Sequence, residues 1–249
     1  MENQDTINKI QNYIDEAKHI VFFSGAGVST DSGIPDFRSQ DGLYNLKSKY
    51  GLPYEEMLSH HYFEMHTKTF FKFYLEFMIH QDAKPNITHT YLALKERQGK
   101  DITIITQNID GLHTLAGSKK VIELHGSIHQ NICTKCNRQY NLKEFLASFK
   151  NGLPLCPHCN GLIKPNVVLY EEPLEERNLI KAMIALREAD LLIVAGTSLK
   201  VYPANALLNY YTNDKIIVIN KEPISLTGLN KSNTINAFTS ASNIFSKLH

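Results

Sequence analysis

The sequence predicts an α/β fold: a Rossmann-like, doubly wound parallel sheet carrying a small zinc-ribbon plus helical insertion domain. Three observations predict it. Short apolar runs rich in β-branched residues recur along the chain, amphipathic helical patterns alternate with them, and two Cys-x-x-Cys pairs sit in a stretch that breaks the rhythm.

The strand signals fall at residues 19–24, 101–106, 121–124, 191–195 and 215–219, with a weaker one at 234–238. Most end in a turn signal, and the strong ones are close to continuously apolar, as strands covered on both faces are. Helical patterns lie between them. Residues 5–17 place Ile7, Ile10 and Ile14 on one face, and 86–98, 174–189 and 203–211 precede the second, fourth and fifth strands. Strand and helix in alternation argue for a parallel sheet with helices on both faces.

Two segments interrupt this order. Residues 34–85 carry no strand signal and include a Phe/Tyr-rich stretch at 62–77, read as helices whose aromatics pack a core. Residues 128–161 contain all four cysteines. The expected division is therefore a Rossmann-like nucleotide-binding domain from 1–33, 86–127 and 162–249, with 34–85 and 128–161 together forming the small domain.

Composition excludes several classes. The chain has 249 residues, 43% hydrophobic and 20% charged, enough for one sizeable core with a small satellite. Lys and Arg number 26 against 25 Asp and Glu, so nothing points to nucleic acid or a membrane surface as the main partner. No run approaches the roughly 18–20 apolar residues that span a bilayer. The start, Met1-Glu2-Asn3-Gln4-Asp5, is polar and acidic, unlike a signal peptide, and the expected location is the cytoplasm. In that reducing compartment four cysteines call for an explanation other than disulfides.

Their spacing supplies it. Cys133-Thr-Lys-Cys136 and Cys156-Pro-His-Cys159 are two knuckles separated by residues 137–155, the spacing of a four-cysteine zinc ribbon. Four thiolates fill a tetrahedral Zn2+ and leave no place for water, so the site is structural. A thioredoxin-like redox pair would leave the second knuckle unexplained. His158 is an alternative ligand, but a side chain between two ligands usually points away.

The first strand runs into Gly25-Ala26-Gly27-Val28-Ser29-Thr30, where a dinucleotide's pyrophosphate would meet backbone N–H groups at a helix start. Glycine permits the sharp turn and close approach of the phosphates. The usual third glycine is replaced by Thr30, and no acid closes the next strand after Thr106, which counts against an ordinary dehydrogenase. Next comes Gly33-Ile34-Pro35-Asp36-Phe37-Arg38, a loop offering an aromatic lid and a charge pair. The second strand ends in Gln107-Asn108-Ile109-Asp110 and the third in His125-Gly126. Ligands of open parallel sheets sit at the carboxyl ends of strands, so these clusters converge on one crevice. A histidine ending a buried strand beside Asn and Asp is a general-base candidate.

In order and spacing, the stretch from Gly25 to Arg38, the Gln107–Asp110 cluster, His125-Gly126, the two knuckles and Gly196-Thr197-Ser198-Leu199-Lys200-Val201-Tyr202-Pro203-Ala204 resemble the sirtuins, NAD-dependent protein-lysine deacylases. The resemblance covers residues from about 7 to 238 and looks like the minimal bacterial form. It implies a cavity in which Gly25, Ala26, Gly27, Thr30, Asp36, Phe37, Arg38, Gln107, Asn108, Ile109, Asp110, His125, Gly196, Thr197, Ser198 and Asn220 bind NAD. It makes His125 the general base on the nicotinamide ribose, Asn108 the holder of that ribose and its water, and Asp110 the anchor of the nicotinamide amide. Phe37 would shield the reactive ribose face and Arg38 orient the cofactor. Thr197 and Ser198 would contact phosphates and ribose, and Asn220 the adenosine ribose. In the reaction this resemblance implies, the acyl oxygen of a modified lysine attacks the anomeric carbon, nicotinamide leaves, and the ribose hydroxyl, deprotonated through His125, attacks the resulting imidate. The products are free lysine, nicotinamide and O-acyl-ADP-ribose.

The resemblance also implies that an acyl-lysine peptide adds as a strand between Val168-Leu169-Tyr170 and the loop holding Val201. The family pattern has glycine where this chain has Glu171, which would set bulk and charge beside the peptide. Phe71 and Tyr74 match the Tyr and Arg that desuccinylating members use, so a neutral acyl group is expected. Two alternatives remain: ADP-ribose transfer to protein on the same fold, and a zinc-ribbon nucleic-acid module, against which the even charge argues.

Overall fold

The computed structural model describes residues 3–37, 50–229 and 232–249. Helix α1 (Gln4–Glu16) opens the chain. Asn3 closes its first turn by accepting from Asp5 N, and Ile7, Ile10 and Ile14 form its buried stripe. Strand β1 (His19–Ser24) follows, then α2 (Tyr54–Met57), α3 (His60–Met65), α4 (Thr67–Phe77), α5 (Ile87–Arg97), β2 (Asp101–Thr106), α6 (Leu112–Ala116) and β3 (Val121–Glu123). The cysteine-bearing part holds β4 (Gly126–Cys133), β5 (Gln139–Tyr140), α7 (Leu142–Ala147), β6 (Phe149–Lys150), β7 (Leu153–Pro154) and β8 (Ile163–Val167). Then come α8 (Glu176–Glu188), β9 (Leu191–Ala195), β10 (Lys215–Ile219), β11 (Asn233–Ala237) and α9 (Ala241–Phe245).

Six strands form one sheet in the order β11-β10-β9-β1-β2-β3, every neighbouring pair parallel. The chain leaves β1 in one direction first and returns to extend the sheet from its other side. The order therefore reverses between β1 and β9, where an open α/β sheet places its ligand crevice. Strand alternation sorts the core into two layers. Ile20 and Phe22 face the layer built with α1, α5 and α9, while Val21 and Phe23 face the layer built with α8.

A second sheet is antiparallel, in the order β5-β4-β8, and packs with the aromatic helices instead. Phe70, Phe71, Phe73 and Tyr74 of α4 share one buried cluster with Ile128, Cys133, Tyr140, Phe145 and Ile163. Segments far apart in sequence thus bury one another's apolar faces.

Two local expectations are corrected. Residues 203–211 form a 3-10 helix, Ala204–Tyr210, not an α-helix. Over seven residues the spacing of Ala204, Leu207 and Leu208 fits a period of three as well as one of 3.6, and the Asn205 side chain turns back to Leu199 O at 3.0 Å. After Gly27 there is no α-helix start: Ala26–Val28 and Thr30–Ser32 are separate 3-10 turns, and Gly33 ends the second at φ 84°. Pro35 disfavours helical backbone at the residue before it. Asn86 instead ties the segment down, donating to Val28 O at 2.8 Å and Ser32 Oγ at 3.0 Å.

Asn86 also caps α5, and its own N–H donates to His89 Nδ1 at 3.2 Å, a bond that requires an unprotonated nitrogen. His89 lies 4.6 Å from the buried ring of His113. Burial pushes both imidazoles below the ordinary histidine range. Below pH 6.5 the unfolded chain takes up protons that the folded chain refuses, so acid destabilises the fold. At pH 5.5 the expected loss is about 1 kcal/mol per imidazole. Urea midpoints at pH 7.5 and 5.5 check this, and a His89→Gln chain should show the shallower dependence.

Candidate active site

The glycine turn is shaped by its neighbour across the sheet reversal. Gly25 N donates to Ala195 O at 3.2 Å and Gly27 N to Gly196 O at 2.8 Å. A Cβ on Gly27 would sit 2.9 Å from Gly196 Cα, and one on Gly196, at φ 57°, would strike Val28 N. The loops after β1 and β9 pack backbone on backbone, so these glycines serve loop-to-loop contact before any phosphate arrives.

A hydrogen-bonded chain joins that turn to the end of β2. The Asn108 side-chain amide donates to Gly25 O at 3.2 Å and to Ser29 Oγ at 3.0 Å, and Ser29 Oγ donates to Asp110 Oδ2 at 2.7 Å. Asp110 Oδ1 accepts Leu112 N at 2.9 Å, starting α6. Both donors of Asn108 are thereby engaged, while its Oδ1 has no partner among the described residues and stays open to a ligand hydroxyl. Gln107 Oε1 accepts from Thr197 Oγ1 at 3.2 Å, and its Nε2 is buried without a partner among the described residues. An orphaned donor there suits a cavity that receives an oxygen-rich ligand.

His125 follows β3. Its Nδ1 donates to Gln107 O at 2.9 Å, which leaves Nε2 as the bare acceptor. Burial lowers its pKa, the Gln107 carbonyl only partly opposing this, so the ring is neutral at pH 7. The His125 carbonyl accepts Val168 N at 2.9 Å and so couples this residue to the loop after β8.

These groups surround a cavity of about 400 Å³. Ala26, Gly27, Thr30, Asp36, Phe37, Gln107, Asn108, Ile109, Asp110 and His125 line it, with Gly196, Thr197, Ser198 and Asn220 at the ends of β9 and β10. Val168, Leu169, Tyr170 and Val201 line it too. Gly25 stands behind the wall, holding Asn108 through its carbonyl. Arg38 lies outside the described residues. Tyr74 is in the lining, together with Leu58, Phe77, Met78 and Ile128, but Phe71 is not: it is enclosed by Phe63, Phe70 and Phe149. Glu171 adopts φ 76°, the left-handed region in which glycine is at ease, and its carboxylate accepts His61 N at 2.9 Å. Its side chain thus has an anchor on α3.

The four cysteines gather away from this cavity. Their Sγ atoms lie within 4.8 Å of one another, with Cys133 and Cys159 at 3.4 Å and Cys136 and Cys156 at 3.7 Å. A tetrahedral ion with Zn–S bonds of about 2.3 Å needs sulfurs about 3.8 Å apart, so the set fits zinc. Each knuckle closes alike, Asn137 N bonding Cys133 O and Asn160 N bonding Cys156 O, with both asparagines left-handed at φ 56° and 57°. Gly161 is required here, since a Cβ would meet Cys133 Sγ at 3.0 Å. Tyr140 places its hydroxyl 3.0 Å from Cys156 Sγ, a donor that favours the thiolate. The cysteines are positioned to hold a structural zinc ion with no open coordination site.

A sequence model of the Sir2 family matches residues 25–203, the span that carries the glycine turn, His125 and all four cysteines. The chain belongs to the Sir2 family. A Clostridium acetobutylicum protein named NAD-dependent protein deacetylase is 53% identical over 217 residues, 87% of this chain and 88% of its own length. A Listeria monocytogenes protein of the same name is 45% identical over 221 residues, 88% of this chain and 92% of its own. Among solved structures, Sir2 with a p53 peptide and NAD+ matches at TM-score 0.83 and 32% identity, covering 97% of this chain and 96% of that one. Sir2Tm bound to a propionylated peptide matches at TM-score 0.82, with the same identity and coverage.

Sequence reasoning on this Sir2-family chain left out Ser29, which joins Asn108 to Asp110, and the apolar wall of Leu58, Phe77 and Met78. A serine after a glycine turn carries no signal of its own. Helical aromatics read as core whichever side of a cavity they meet.

Proposed function

We propose that this Sir2-family chain consumes NAD to remove acetyl or other neutral acyl groups from protein lysine side chains, giving nicotinamide, O-acyl-ADP-ribose and free lysine. The observation that carries this reading is His125 with a bare, neutral Nε2 in the same cavity as the open Asn108 Oδ1. When bound, NAD supplies the ribosyl carbon that takes up the acyl oxygen as nicotinamide departs. His125 would take a ribose hydroxyl proton at Nε2, and Asn108 would hold that ribose and the water whose addition releases the free lysine. Asp110, fixed by Ser29 and Leu112 N, faces the nicotinamide end, while Thr197, Ser198 and Asn220 hold the phosphates and adenosine end. Phe37 covers the ribose. The deacetylase names of the relatives and the peptide and NAD+ in the Sir2 structures support the same assignment.

The small unit is read as the two insertions around their shared core, and the pairing of β8 with β4 supports extending it to Val167. Acyl-lysine proteins are its partners in this reading, in a cytoplasmic setting. No helix among the described residues is long and apolar enough to cross a membrane.

A neutral acyl preference follows from the wall around Tyr74. Tyr74 is fully buried, and burial raises its phenol far above the usual range, so it stays uncharged. Its neighbours in the lining are the apolar Leu58, Phe77, Met78 and Ile128 and His80, whose Nε2 is engaged by Phe77 O at 3.1 Å. Among the described residues of this wall no lysine or arginine stands ready to pair with a carboxylate. An unpaired carboxylate there costs about 3 kcal/mol, so a succinyl peptide should turn over about 100-fold more slowly than an acetyl one. Incubation with NAD and a panel of acyl-lysine peptides, followed by mass spectrometry of the products, tests both statements. Succinyl cleavage at the acetyl rate sinks the preference. Label from NAD remaining on protein instead of on O-acyl-ADP-ribose would assign ADP-ribose transfer in place of deacylation.

A further inference from the structure

The loop after β8 lies outside all three sheets, yet in the reading above it presents main chain to the substrate. Its own backbone is largely engaged. Tyr170 N donates to Leu58 O and Tyr170 O accepts His60 N, both at 3.0 Å, in a bridge with the start of α3. Val168 N is held by the His125 carbonyl, and Leu169 O accepts Glu172 N. The carbonyl of Val168 and both main-chain groups of Glu171 are left without partners among the described residues, and both residues line the cavity. A peptide adding as a strand therefore has these groups to pair with.

One carboxylate fixes their register. Glu172 Oε1 meets His60 Nδ1 at 2.8 Å. Glu172 Oε2 accepts Leu169 N at 2.9 Å and Lys164 Nζ at 3.1 Å. Glu172 thus ties together β8, the loop and α3. Glu171 adds a second tie through His61 N, at the cost of a left-handed backbone. Glu172 lines the same cavity, but neither it nor His60 hydrogen-bonds a group assigned to NAD among the described residues.

We infer that His60 and Glu172 form a charged clasp that positions the Val168–Glu171 main chain for the acyl-lysine peptide, making them positioning residues for peptide binding and not for NAD. The inference rests on the deacylase reading for the identity of its ligand. The groups facing His60 are Glu172 from the loop and Glu64 at 3.2 Å on its own helix, with Lys164 reaching the far oxygen of Glu172. These carboxylates, Glu172 foremost, raise the His60 pKa above 6.5. The clasp is therefore an ion pair in mild acid and loses its charge as pH rises through that raised value, so peptide affinity should weaken on the alkaline side.

The test measures Kd for a fluorescent acetyl-lysine peptide and, separately, for NAD, using the full chain and the variants His60→Gln and Glu172→Gln. Glutamine at 172 keeps an acceptor for Leu169 N, and His60 has 43% of its side chain exposed, so both variants should fold, which a melting curve verifies. Expected are a loss of about fivefold in peptide affinity, the size an exposed charge pair supplies, and an NAD Kd changed by less than about twofold. Between pH 6.5 and 8.5 the wild-type peptide Kd should rise while that of His60→Gln stays flat. Unchanged peptide affinity in folded variants, equal losses for NAD, or a pH dependence surviving in His60→Gln overturns the clasp. A wild-type chain that binds the peptide but never cleaves it refutes the deacylase reading alone, and the Kd comparison still decides the clasp. Absence of peptide binding by the wild type refutes both.

Discussion

Changing His125 to alanine should lower kcat/KM for NAD-dependent deacylation by about 100-fold to 10,000-fold, the contribution of one well-placed general base. Three features of the structure set this expectation. The Gln107 carbonyl at 2.9 Å fixes the tautomer, burial keeps the ring neutral, and the ring borders the same cavity as Asn108. Because the His125 pKa is lowered, the active base persists below pH 6.5, and the acid limb of the rate profile should appear under that value. The variant should retain its melting temperature, since the lost bond is to one carbonyl. Steady-state rates from pH 5 to 8, with melting curves beside them, decide the matter. A His125→Ala chain as active as the wild type would remove His125 from the chemistry.

Zinc withdrawal should act on the fold. Structural zinc contributes about 10–16 kcal/mol to the modules that bind it, comparable to the whole stability of an ordinary domain. Cys133 and Cys156 are buried in the same cluster as Phe71, Tyr74 and Phe145, with Cys159 packed against it, so losing the ion that joins them would loosen the wall of the cavity. A strong chelator, or Cys156→Ser, is expected to lower the melting temperature by more than about 10 °C, taking about 3 °C per kcal/mol for a chain of this size. The parallel sheet should persist in far-ultraviolet circular dichroism while near-ultraviolet signals from the aromatic cluster fade. One zinc per chain by elemental analysis, and none in Cys156→Ser, completes the check. A chelated protein with an unchanged melting curve would mean that the cysteines hold no stabilising ion.

Much of this architecture was legible in the residues because its signals are local. The apolar runs at 19–24, 101–106, 191–195 and 215–219 coincide with β1, β2, β9 and β10, since a strand buried on both faces needs little context to declare itself. The edge strands were less sharp. The signal at 121–124 overran β3 by a residue, and that at 234–238 is offset from β11. Edges have one neighbour and tolerate polar residues. The helix expected after Gly27 was wrong because the tie from Asn86 arrives from more than fifty residues away.

The sequence by itself determined the alternation of strand and helix, the two knuckles and the polar clusters at strand ends. Each of these is a matter of spacing along the chain, and spacing is what a sequence records. Only the tertiary structure decided which neighbours they meet. The reversal of strand order between β1 and β9 sets Gly27 against Gly196, Ser29 bridges Asn108 and Asp110, and Glu172 reaches back to His60. Those contacts join segments tens to more than a hundred residues apart, and they exist because burying both faces of the sheet forces the loops at its carboxyl edge into one crevice.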